Sequence, residues 1–286
     1  MDTRTYPAPP AIGEQLRTWR ERRHLSQLAL AVQAEVSSRH LSFIETGRAQ
    51  PGRELILRLA DELDIPLRER NDLLIAAGFA PVFQARNFED AAFDSLRAIV
   101  DLTLERHKPF PAYLIDRHWN IIRSNAAVPA LFEGVDAALL RPPVNVIRLV
   151  LHPGGMAPRI LNLAAWRSHY LHLLRRQIQM TADPQLEALL RETLAYPIGK
   201  HDAWNGSDSP SLPLIVQTRL GQLSFIGATT VFGSPADVTL EEVALEVLHP
   251  ADAHTEQAVQ AAAAGTGQGH EPRALRRALR LELKRP

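Results

Sequence analysis

Apolar residues recur every three or four positions between residues 11 and 80, and this spacing predicts a series of short amphipathic helices. The helical segments follow one another closely, which predicts a compact domain of five helices. Ser37 or Ser38 is expected to cap the third helix, and Gly47 to end it. The positions expected to form the buried helix faces are Ile12, Leu16, Trp19, Leu28, Ala29, Val32, Leu41, Ile44, Leu55, Leu59, Ala60, Leu63, Leu73, Leu74 and Ala77.

The pattern changes after this first domain. Residues 81–108 are expected to be a linker that becomes helical. The stretch PAYLIDRHWNIIRSN then predicts two short strands around Arg117-His118, followed by a helix that Asn125 would open. Residues 126–197 return to helical spacing, which several prolines interrupt.

The stretch LPLIVQTRLGQLSFIGATTVF has the two-residue periodicity of a β-strand, in which every second side chain lies on the same face. Gly221-Gln222 is expected to form the two-residue turn of a hairpin, with the return strand running from Leu223 to Phe232. The stretch LEEVALEVLHP fits a helix or a strand by its spacing, and its place after a hairpin favours a third strand.

The order of elements predicts a multidomain protein: an all-α five-helix domain at 11–80, a linker helix at 81–108 and an α+β domain at 109–256. In the α+β domain, helices separate two strands from the last three, and the sheet is expected to be antiparallel. This arrangement suits a PAS-like sensor, in which helices cover one face of the sheet and a pocket forms between them. Residues 257–286 are expected to form a flexible basic tail.

Composition narrows the possible functions. The chain has 286 residues, enough for two domains, and its formal net charge of zero points to no particular partner. It has no cysteine, which excludes disulfides, thiolate metal sites and thiol catalysis. There is no signal-peptide core and no apolar run of about 18 residues, so we expect a cytoplasmic protein without a membrane partner.

The residues that could suggest enzyme chemistry have simpler interpretations. His152, His169 and His172, with Asp183, are expected to be ordinary surface or core residues, because no metalloprotease pattern accompanies them. No Gly-x-Ser-x-Gly motif is present, and the stretch GTGQGHEP does not follow a strand. We therefore expect no catalytic residue, no metal and no cofactor.

The segment LSQLALAVQAEVSSRHLSFIETGRAQP, residues 25–51, combines small apolar residues with polar side chains that a core does not need. Small residues allow a second helix to pack closely, and a sharp turn is expected at 34–36. A third helix would bury Leu41 and Ile44 and expose its other face, as in a helix-turn-helix that enters the major groove of DNA. The candidate DNA-contacting residues are Gln27, Ser37, Ser38, Arg39, His40, Ser42, Phe43 and Arg48.

This segment resembles the Xre/lambda-repressor-like helix-turn-helix family. The matching residues are Ser26-Gln27, Leu30-Ala31, Val36-Ser37, Leu41-Ser42, Ile44-Glu45 and Gly47. The resemblance implies that Gln27 contacts a phosphate and that Ser38 and Arg39 read base edges. Phe43 would touch a thymine methyl group or pack on a sugar.

Two further positions are interpreted through this family. Glu35 stands in the turn where the family usually has glycine, and a left-handed backbone there would cost about 1 kcal/mol. Arg20 and Glu45 fall where the family often joins the first helix to the end of the third. The resemblance therefore implies a structural ion pair between them.

A longer resemblance covers about residues 11–260. The segments IETGRAQPGRELILRLADELDIPLRERNDLLIAAGFAP, PAYLIDRHWNIIRSNAA, APRILNLAAWRSHYLHLLRRQ and LHPADAHTEQA are similar to those of MmyB-like regulators. Those proteins join an Xre-type domain to a PAS-like ligand-binding domain. The resemblance implies a transcription regulator whose sensor domain holds a long-chain apolar ligand such as a fatty acid.

The residues expected to line the ligand site come from the middle helices and the hairpin. Asn125 and Arg159 are candidates to hold a polar head group, although Asn125 could instead cap a helix and Arg159 could be a surface charge. Trp166 and Tyr170, four apart on one helix, fit a core as well as a pocket. The full candidate set is Asn125, Leu131, Arg159, Ile160, Leu163, Trp166, Tyr170 and Phe225.

We therefore expect a ligand-responsive transcription regulator that is not an enzyme. Its partners would be a double-stranded DNA operator and an apolar small molecule. It would be a homodimer, because helix-turn-helix proteins commonly read two half-sites. Two alternatives stay open: an enzyme acting on a small molecule with an accessory DNA-binding domain, and a PAS-like domain that only dimerises.

Overall fold

A computed structural model describes residues 11–197, 211–233 and 235–265 of the chain. These residues divide into two compact units. The first contains residues 11–87 with two short segments, 179–182 and 235–241, and the second contains the other described residues. Each unit has its own cluster of buried apolar side chains.

Residues 12–76 form five short helices, as the apolar spacing predicts. They are α1 (Ile12–Arg22), α2 (Gln27–Gln33), α3 (Ser38–Glu45), α4 (Arg53–Glu62) and α5 (Leu67–Ala76). Ser26 caps α2 and Ser37 caps α3, because each hydroxyl accepts a hydrogen bond from a backbone N–H three residues later. Gly47 has a left-handed φ of 72° just after α3, where a larger residue would be strained.

The packing of α2 corrects one predicted helix face. The spacing predicts Leu28 and Val32 in the core, but they are 64% and 70% exposed. Leu30, Ala31 and Ala34 are buried instead. The small alanines let the backbone of α2 approach its neighbours closely, so the larger side chains are left on the outer face.

Arg20 on α1 and Glu45 at the end of α3 form a buried ion pair with two hydrogen bonds. The distance from Arg20 Nε to Glu45 Oε1 is 2.6 Å, and that from Nη2 to Oε2 is 2.9 Å. Arg20 Nη1 also donates to the carbonyl oxygen of Leu25, at 2.8 Å. The hydrogen bond to Glu45 raises the pKa of Arg20. This pair, which the family resemblance implies, is confirmed and fixes α3 against α1.

Gly13 lies at a close approach between α1 and α3. A Cβ atom on Gly13 would lie 2.1 Å from the carbonyl oxygen of Ile44. That oxygen belongs to the backbone and cannot move aside as a flexible side chain would. Only glycine therefore fits this position without a shift of one helix.

The described residues of the second unit contain a five-stranded antiparallel sheet, as predicted. The strands are β1 (Ala112–Ile115), β2 (Ile121–Ser124), β3 (Leu214–Thr218), β4 (Gly221–Val231) and β5 (Ala244–Pro250). The helices after α5 are α6 (Asp94–Arg106), α7 (Val128–Leu131), α8 (Val146–Leu151), α9 (Leu163–Thr181), α10 (Pro184–Leu194), α11 (Val238–Glu241) and α12 (Ala253–Gly265). Of these, α11 and the end of α9 fall in segments of the first unit.

The strand order is β2-β1-β5-β4-β3, and all neighbouring pairs are antiparallel. The last strand in the chain, β5, thus lies at the centre of the sheet. The apolar core covers the sheet face that carries Tyr113, Leu248 and Phe225, and it is completed by side chains of α7, α8, α9 and α10. On the other face, Ala112 and Leu114 of β1 are also fully buried.

The turn of the β3–β4 hairpin lies two residues earlier than predicted. Thr218 pairs with Gly221, so Arg219 and Leu220 form the turn. Gly221 begins β4 with a φ of 95°. The Thr218 hydroxyl donates to the Gly221 carbonyl oxygen at 2.9 Å and accepts from the Leu220 N–H at 3.0 Å, which stabilises the earlier turn. The predicted turn at Gly221-Gln222 is therefore wrong.

Two predicted boundaries also change. The last strand begins at Ala244, because the first residues of the stretch LEEVALEVLHP end the short helix α11. The helix α12 continues to Gly265 through the alanine run, which the sequence analysis assigns to a flexible tail from residue 257. Alanine has the highest helix propensity, which explains this extension. Residues 266–286 lie outside the described residues.

We predict that the Arg20–Glu45 pair is strongly coupled. Glu45→Ala should lower the free energy of unfolding by up to about 3–5 kcal/mol, because it leaves the buried Arg20 with only the exposed Glu21, 3.7 Å away, as an acidic neighbour. In a double-mutant cycle with Arg20→Ala, the two losses should be far from additive. The exposed pair of Lys108 and Glu105, 2.6 Å apart, provides a control cycle with much weaker coupling. Additive losses for the buried pair would contradict this prediction.

Gly13→Ser is predicted to destabilise the helical domain by about 3 kcal/mol or more, because its Cβ atom meets a backbone oxygen. Gly52→Ser is the control, since a Cβ atom there has no neighbour within 4 Å and serine suits the N-cap of α4. Urea unfolding of both variants measures the difference. Equal stability of the two variants would show that α1 can move away from α3 at little cost.

Candidate DNA-contacting face and ligand-binding core

The third helix separates its side chains into two faces. Leu41 and Ile44 are completely buried against the helical core. Ser38 and Arg39 are exposed, and Phe43 is half-buried between the two faces. Among the other candidates, His40 and Ser42 are half-buried, and Arg48 follows the helix in an exposed position. The helix therefore presents one polar face to solvent, as a recognition helix requires.

Arg39 and Phe43 contact each other one helical turn apart. The Arg39 guanidinium carbon lies 5.4 Å from the centroid of the Phe43 ring. Such a cation–π contact restricts the long arginine side chain along the helix surface. An arginine that is already ordered loses less conformational entropy when it binds a base edge.

Gln27 lies at the start of α2, next to the end of α3. Its Nε2 donates a hydrogen bond of 2.8 Å to Oε2 of Glu45, the carboxylate that also binds Arg20. An amide nitrogen carries two hydrogens, so this contact leaves one for a phosphate oxygen. The buried ion pair therefore also orients the residue for which the family resemblance implies a phosphate contact.

The turn between α2 and α3 has the left-handed backbone that the family resemblance implies. Glu35 has a φ of 54°, and the N–H of Val36 bonds to the carbonyl oxygen of Ala31 at 2.9 Å. Glutamate thus takes the strained position at a cost of about 1 kcal/mol. Ser37 follows the turn, and its hydroxyl oxygen accepts from the N–H of His40 at 3.1 Å. This bond gives Ser37 a structural role as the cap of α3.

In the second unit, the apolar residues of the candidate set meet in one cluster. Each belongs to the core or packs against it, although they come from α7, α9, the segment before α9 and β4. The six are Leu131, Ile160, Leu163, Trp166, Tyr170 and Phe225. Leu163 is half-buried, and the other five are at most 9% exposed. The structure therefore brings together residues that are up to a hundred positions apart in the chain.

Aromatic contacts organise this cluster around α9. The Tyr170 ring lies 5.4 Å from Trp166 and 5.7 Å from Trp119, measured between ring centroids. Trp166 Nε1 donates to the carbonyl oxygen of Pro213 at 3.0 Å, and Trp119 Nε1 donates to Oε1 of Gln177 at 2.9 Å. The polar atoms of both indoles are therefore satisfied, and their rings are fixed against Tyr170.

Arg159 is a half-buried cation at the edge of the cluster. Its Nη2 donates a 3.2 Å hydrogen bond to the carbonyl oxygen of Leu131. Burial lowers the pKa of Arg159, and the negative charge of Glu133 acts in the opposite direction. Among the described residues, Arg159 forms no ion pair. Its guanidinium therefore has hydrogens left for an anionic group beside an apolar core.

Asn125 does not fit the role of a ligand contact. Its Oδ1 accepts from the N–H groups of Ala112 and Ala127, at 3.3 and 3.2 Å. Its Nδ2 donates to the carbonyl oxygens of Leu104 and Phe110, at 3.1 and 2.8 Å. These four bonds use both hydrogens and both lone pairs of the amide. Asn125 is therefore a buried structural residue. It is not the N-cap of α7 either, since Ala127 has that position.

Sequence reasoning missed a group of polar residues on the core face of the sheet. Tyr113 of β1 and Thr229 of β4 are both directly opposite Glu246 of β5. The Thr229 hydroxyl donates to Oε1 of Glu246 at 2.6 Å. Burial raises the pKa of Glu246, while this bond acts in the opposite direction. The sequence signal that could have revealed this group is Glu246, which lies between Ala244 and Leu248, two core-facing positions of β5.

Other possible sites find no support in the described residues. No group of three or more histidine, aspartate or glutamate side chains there could hold a metal ion. Asp183 instead accepts a 2.8 Å hydrogen bond from His118 and caps α10. No helix in the same part of the chain is long and apolar enough to cross a membrane.

Comparison with known proteins gives two family matches. Residues 11–73 match a helix-turn-helix domain. Residues 96–262 match the MmyB-like transcription regulator ligand binding domain. No curated protein matches the chain.

One solved structure that resembles the chain is described as an RNA-binding light-oxygen-voltage receptor. It is 13% identical, and the match covers 91% of this chain and 65% of that chain with a TM-score of 0.23. At that TM-score the likeness carries no argument about fold or function.

The ligand-binding match covers more than half of the 286 residues and contains the sheet and the apolar cluster. The helix-turn-helix match contains α3 with its exposed polar face. This chain therefore belongs to the MmyB-like transcription regulators, with a helix-turn-helix DNA-binding domain followed by a ligand-binding domain.

Proposed function

We propose that the protein reads an operator through α3 and changes its affinity for that operator when an apolar molecule, such as a fatty acid, binds the second domain. The observation that carries the ligand part is Arg159, a half-buried cation without an ion pair among the described residues, beside a cluster of apolar side chains. An acyl chain with a carboxylate head group complements both features.

Base recognition is assigned to Arg39. A guanidinium group can donate two hydrogen bonds to O6 and N7 of a guanine in the major groove. The exposure of Arg39 and its contact with Phe43 support this role. Ser38 and Ser42 lie on the same helix and are assigned to base edges or phosphates, and Gln27 to a phosphate.

Acyl-chain binding is assigned to the apolar cluster. Each buried methylene group contributes about 0.8 kcal/mol, so a long chain binds tightly even if its head group is weakly held. Arginine matches a carboxylate with two parallel hydrogen bonds, which suits Arg159 as the head-group residue. Leu131 lies next to it, because its carbonyl oxygen accepts the bond from Arg159.

The functional form is proposed to be a homodimer. A single recognition helix covers few base pairs, and two copies related by a twofold axis would read two half-sites about one helical turn apart. The symmetric operator would then have half-sites centred about 34–36 Å from each other.

Arg39→Ala is predicted to reduce affinity for the cognate operator by about 1–3 kcal/mol and to leave binding to random DNA almost unchanged. The measurement is fluorescence anisotropy at fixed salt, with an operator selected from random sequences. Arg58→Ala, which removes an exposed arginine from α4, is the control for a general loss of charge. Equal losses on operator and random DNA for Arg39→Ala would rule out base reading by this residue.

Ligand binding is predicted to change operator affinity by about 5–150-fold, the usual range of allosteric coupling. Operator affinity is compared between delipidated protein and protein loaded with a long-chain fatty acid. Arg159→Gln should weaken fatty-acid binding, whereas Arg175→Gln, at an exposed position on α9, should not. If lipid binding is verified and operator affinity stays the same, the regulatory role of the lipid is wrong.

A further inference from the structure

A row of polar side chains crosses the core face of the sheet. The strand registers place Ser124 of β2 opposite Tyr113, Tyr113 opposite Glu246, and Glu246 opposite Thr229. Directly opposite residues of antiparallel strands lie on the same face, with their Cβ atoms about 4.5–5.5 Å apart. This polar row therefore interrupts a face that is otherwise part of the apolar core.

Two tyrosine hydroxyls in this region have no hydrogen-bond partner among the residues that the structure describes. Tyr113 and Tyr170 are each only 6% exposed, yet neither phenol oxygen has a partner among the described residues. Arg123 Nε is the one fully enclosed side-chain nitrogen or oxygen without a partner in the same part of the chain. Buried polar groups normally have a hydrogen-bond partner. The two phenol groups therefore keep donor and acceptor capacity that a ligand atom could use.

Glu246 is close enough to influence both tyrosines. Burial raises the pKa of Tyr170, and the negative charge of Glu246 raises it further. Burial also raises the pKa of Tyr113, with added contributions from Tyr170 and Glu246. These effects agree with the strand register, which puts Tyr113 and Glu246 side by side. The three side chains therefore belong to one polar cluster.

The second half of β4, residues 227–230, leaves this cluster accessible. Gly227, Ala228, Thr229 and Thr230 are all exposed, although they belong to the strand next to β5. The first half of β4 is different, because Leu223 and Phe225 are buried in the core. A polar group could therefore reach Glu246 from the exposed end of β4, while an attached chain extends toward the buried end.

We propose that Tyr113, Tyr170 and Glu246 bind a hydrogen-bond donor, an amine or a hydroxyl group, on an otherwise apolar ligand. This proposal rests on the proposed ligand binding by the second domain. It adds a second polar contact point that is distinct from Arg159. Arg159 suits an anionic group, whereas this cluster suits a cation or a neutral donor.

The chemistry of the cluster favours a donor over an acid. An ionised glutamate accepts hydrogen bonds only, and it repels a carboxylate placed beside it. An ammonium group would gain a charge-assisted bond to Glu246, and the tyrosine rings also favour a cation. A hydroxyl group would donate to Glu246 and accept from a phenol hydroxyl. The cluster thus selects between ligands whose apolar chains are identical.

The test compares three probes with the same chain: dodecylamine, dodecan-1-ol and dodecanoate. Their affinities for the full-length protein are measured by isothermal titration calorimetry. Glu246→Gln should weaken dodecylamine roughly tenfold or more, because a charge-assisted bond is lost. The same change should weaken dodecan-1-ol to a smaller extent, because a neutral amide is a poorer acceptor than a carboxylate, and should strengthen dodecanoate. Glu187→Gln, at an exposed position on α10, is the control that should change none of the three.

Two tyrosine variants extend the test. Tyr113→Phe and Tyr170→Phe should each weaken dodecylamine and dodecan-1-ol by roughly 2–10-fold, the usual effect of one lost neutral hydrogen bond. If the unmodified protein binds neither dodecylamine nor dodecan-1-ol, or if none of the Glu246 and tyrosine variants weakens the binding of either probe, the proposal is wrong.

Different experimental results would contradict the donor site and the regulatory function. If Glu246→Gln changes the probe affinities as expected but no probe changes operator affinity, the donor site is supported and the regulatory function is contradicted. If dodecanoate changes operator affinity while Glu246→Gln alters no probe's affinity, regulation is supported and the donor site is wrong.

Discussion

The pairing of β5 with both β1 and β4 is the constraint on which the second domain depends. The last strand in the chain forms the centre of the sheet, so β1 and β4 have no common neighbour without it. Its register is specified because its two faces have different surroundings: Leu248 belongs to the large apolar cluster, whereas Leu245 is buried on the opposite face beside Leu114. A slip of one residue would move Leu248 to the opposite face and remove Glu246 from Tyr113. The register that builds the core therefore also places a carboxylate within it.

Glu45 in the first domain and Glu246 in the second have different degrees of hydrogen-bond satisfaction. Glu45 is satisfied by Arg20 and Gln27, and this network holds α3 in place. Replacing such a pair with apolar residues often costs little stability, so its value here lies in a defined geometry. Arg159 has no ion pair among the described residues, and Glu246 has one hydroxyl donor. The satisfied charges support structure, and the incompletely satisfied ones are available for binding.

The spacing of residues in the sequence correctly predicted features that depend only on positions close together in the chain. The cap at Ser37 and the buried face of α3 follow from a few adjacent positions, whereas the left-handed backbone of Glu35 was implied by the family resemblance. The hairpin turn was misplaced because the Thr218 hydroxyl stabilises an earlier turn, which a glycine signal does not reveal. The Tyr113–Glu246 contact joins residues more than a hundred positions apart. Such a contact depends on strand register, which no local periodicity contains.

Apolar and polar contacts contribute differently to the selectivity of such a domain among ligands. Burial contributes about 0.8 kcal/mol for each methylene group, so lipids of similar length would gain similar binding energy at the proposed apolar site. A ligand that leaves a buried polar group unpaired loses about 1–3 kcal/mol. Arg159 and Glu246 can therefore select among ligands that the cluster binds equally well. Selectivity alone does not regulate: the ligand must also bind one conformation of the protein more tightly, and only that difference can change operator affinity.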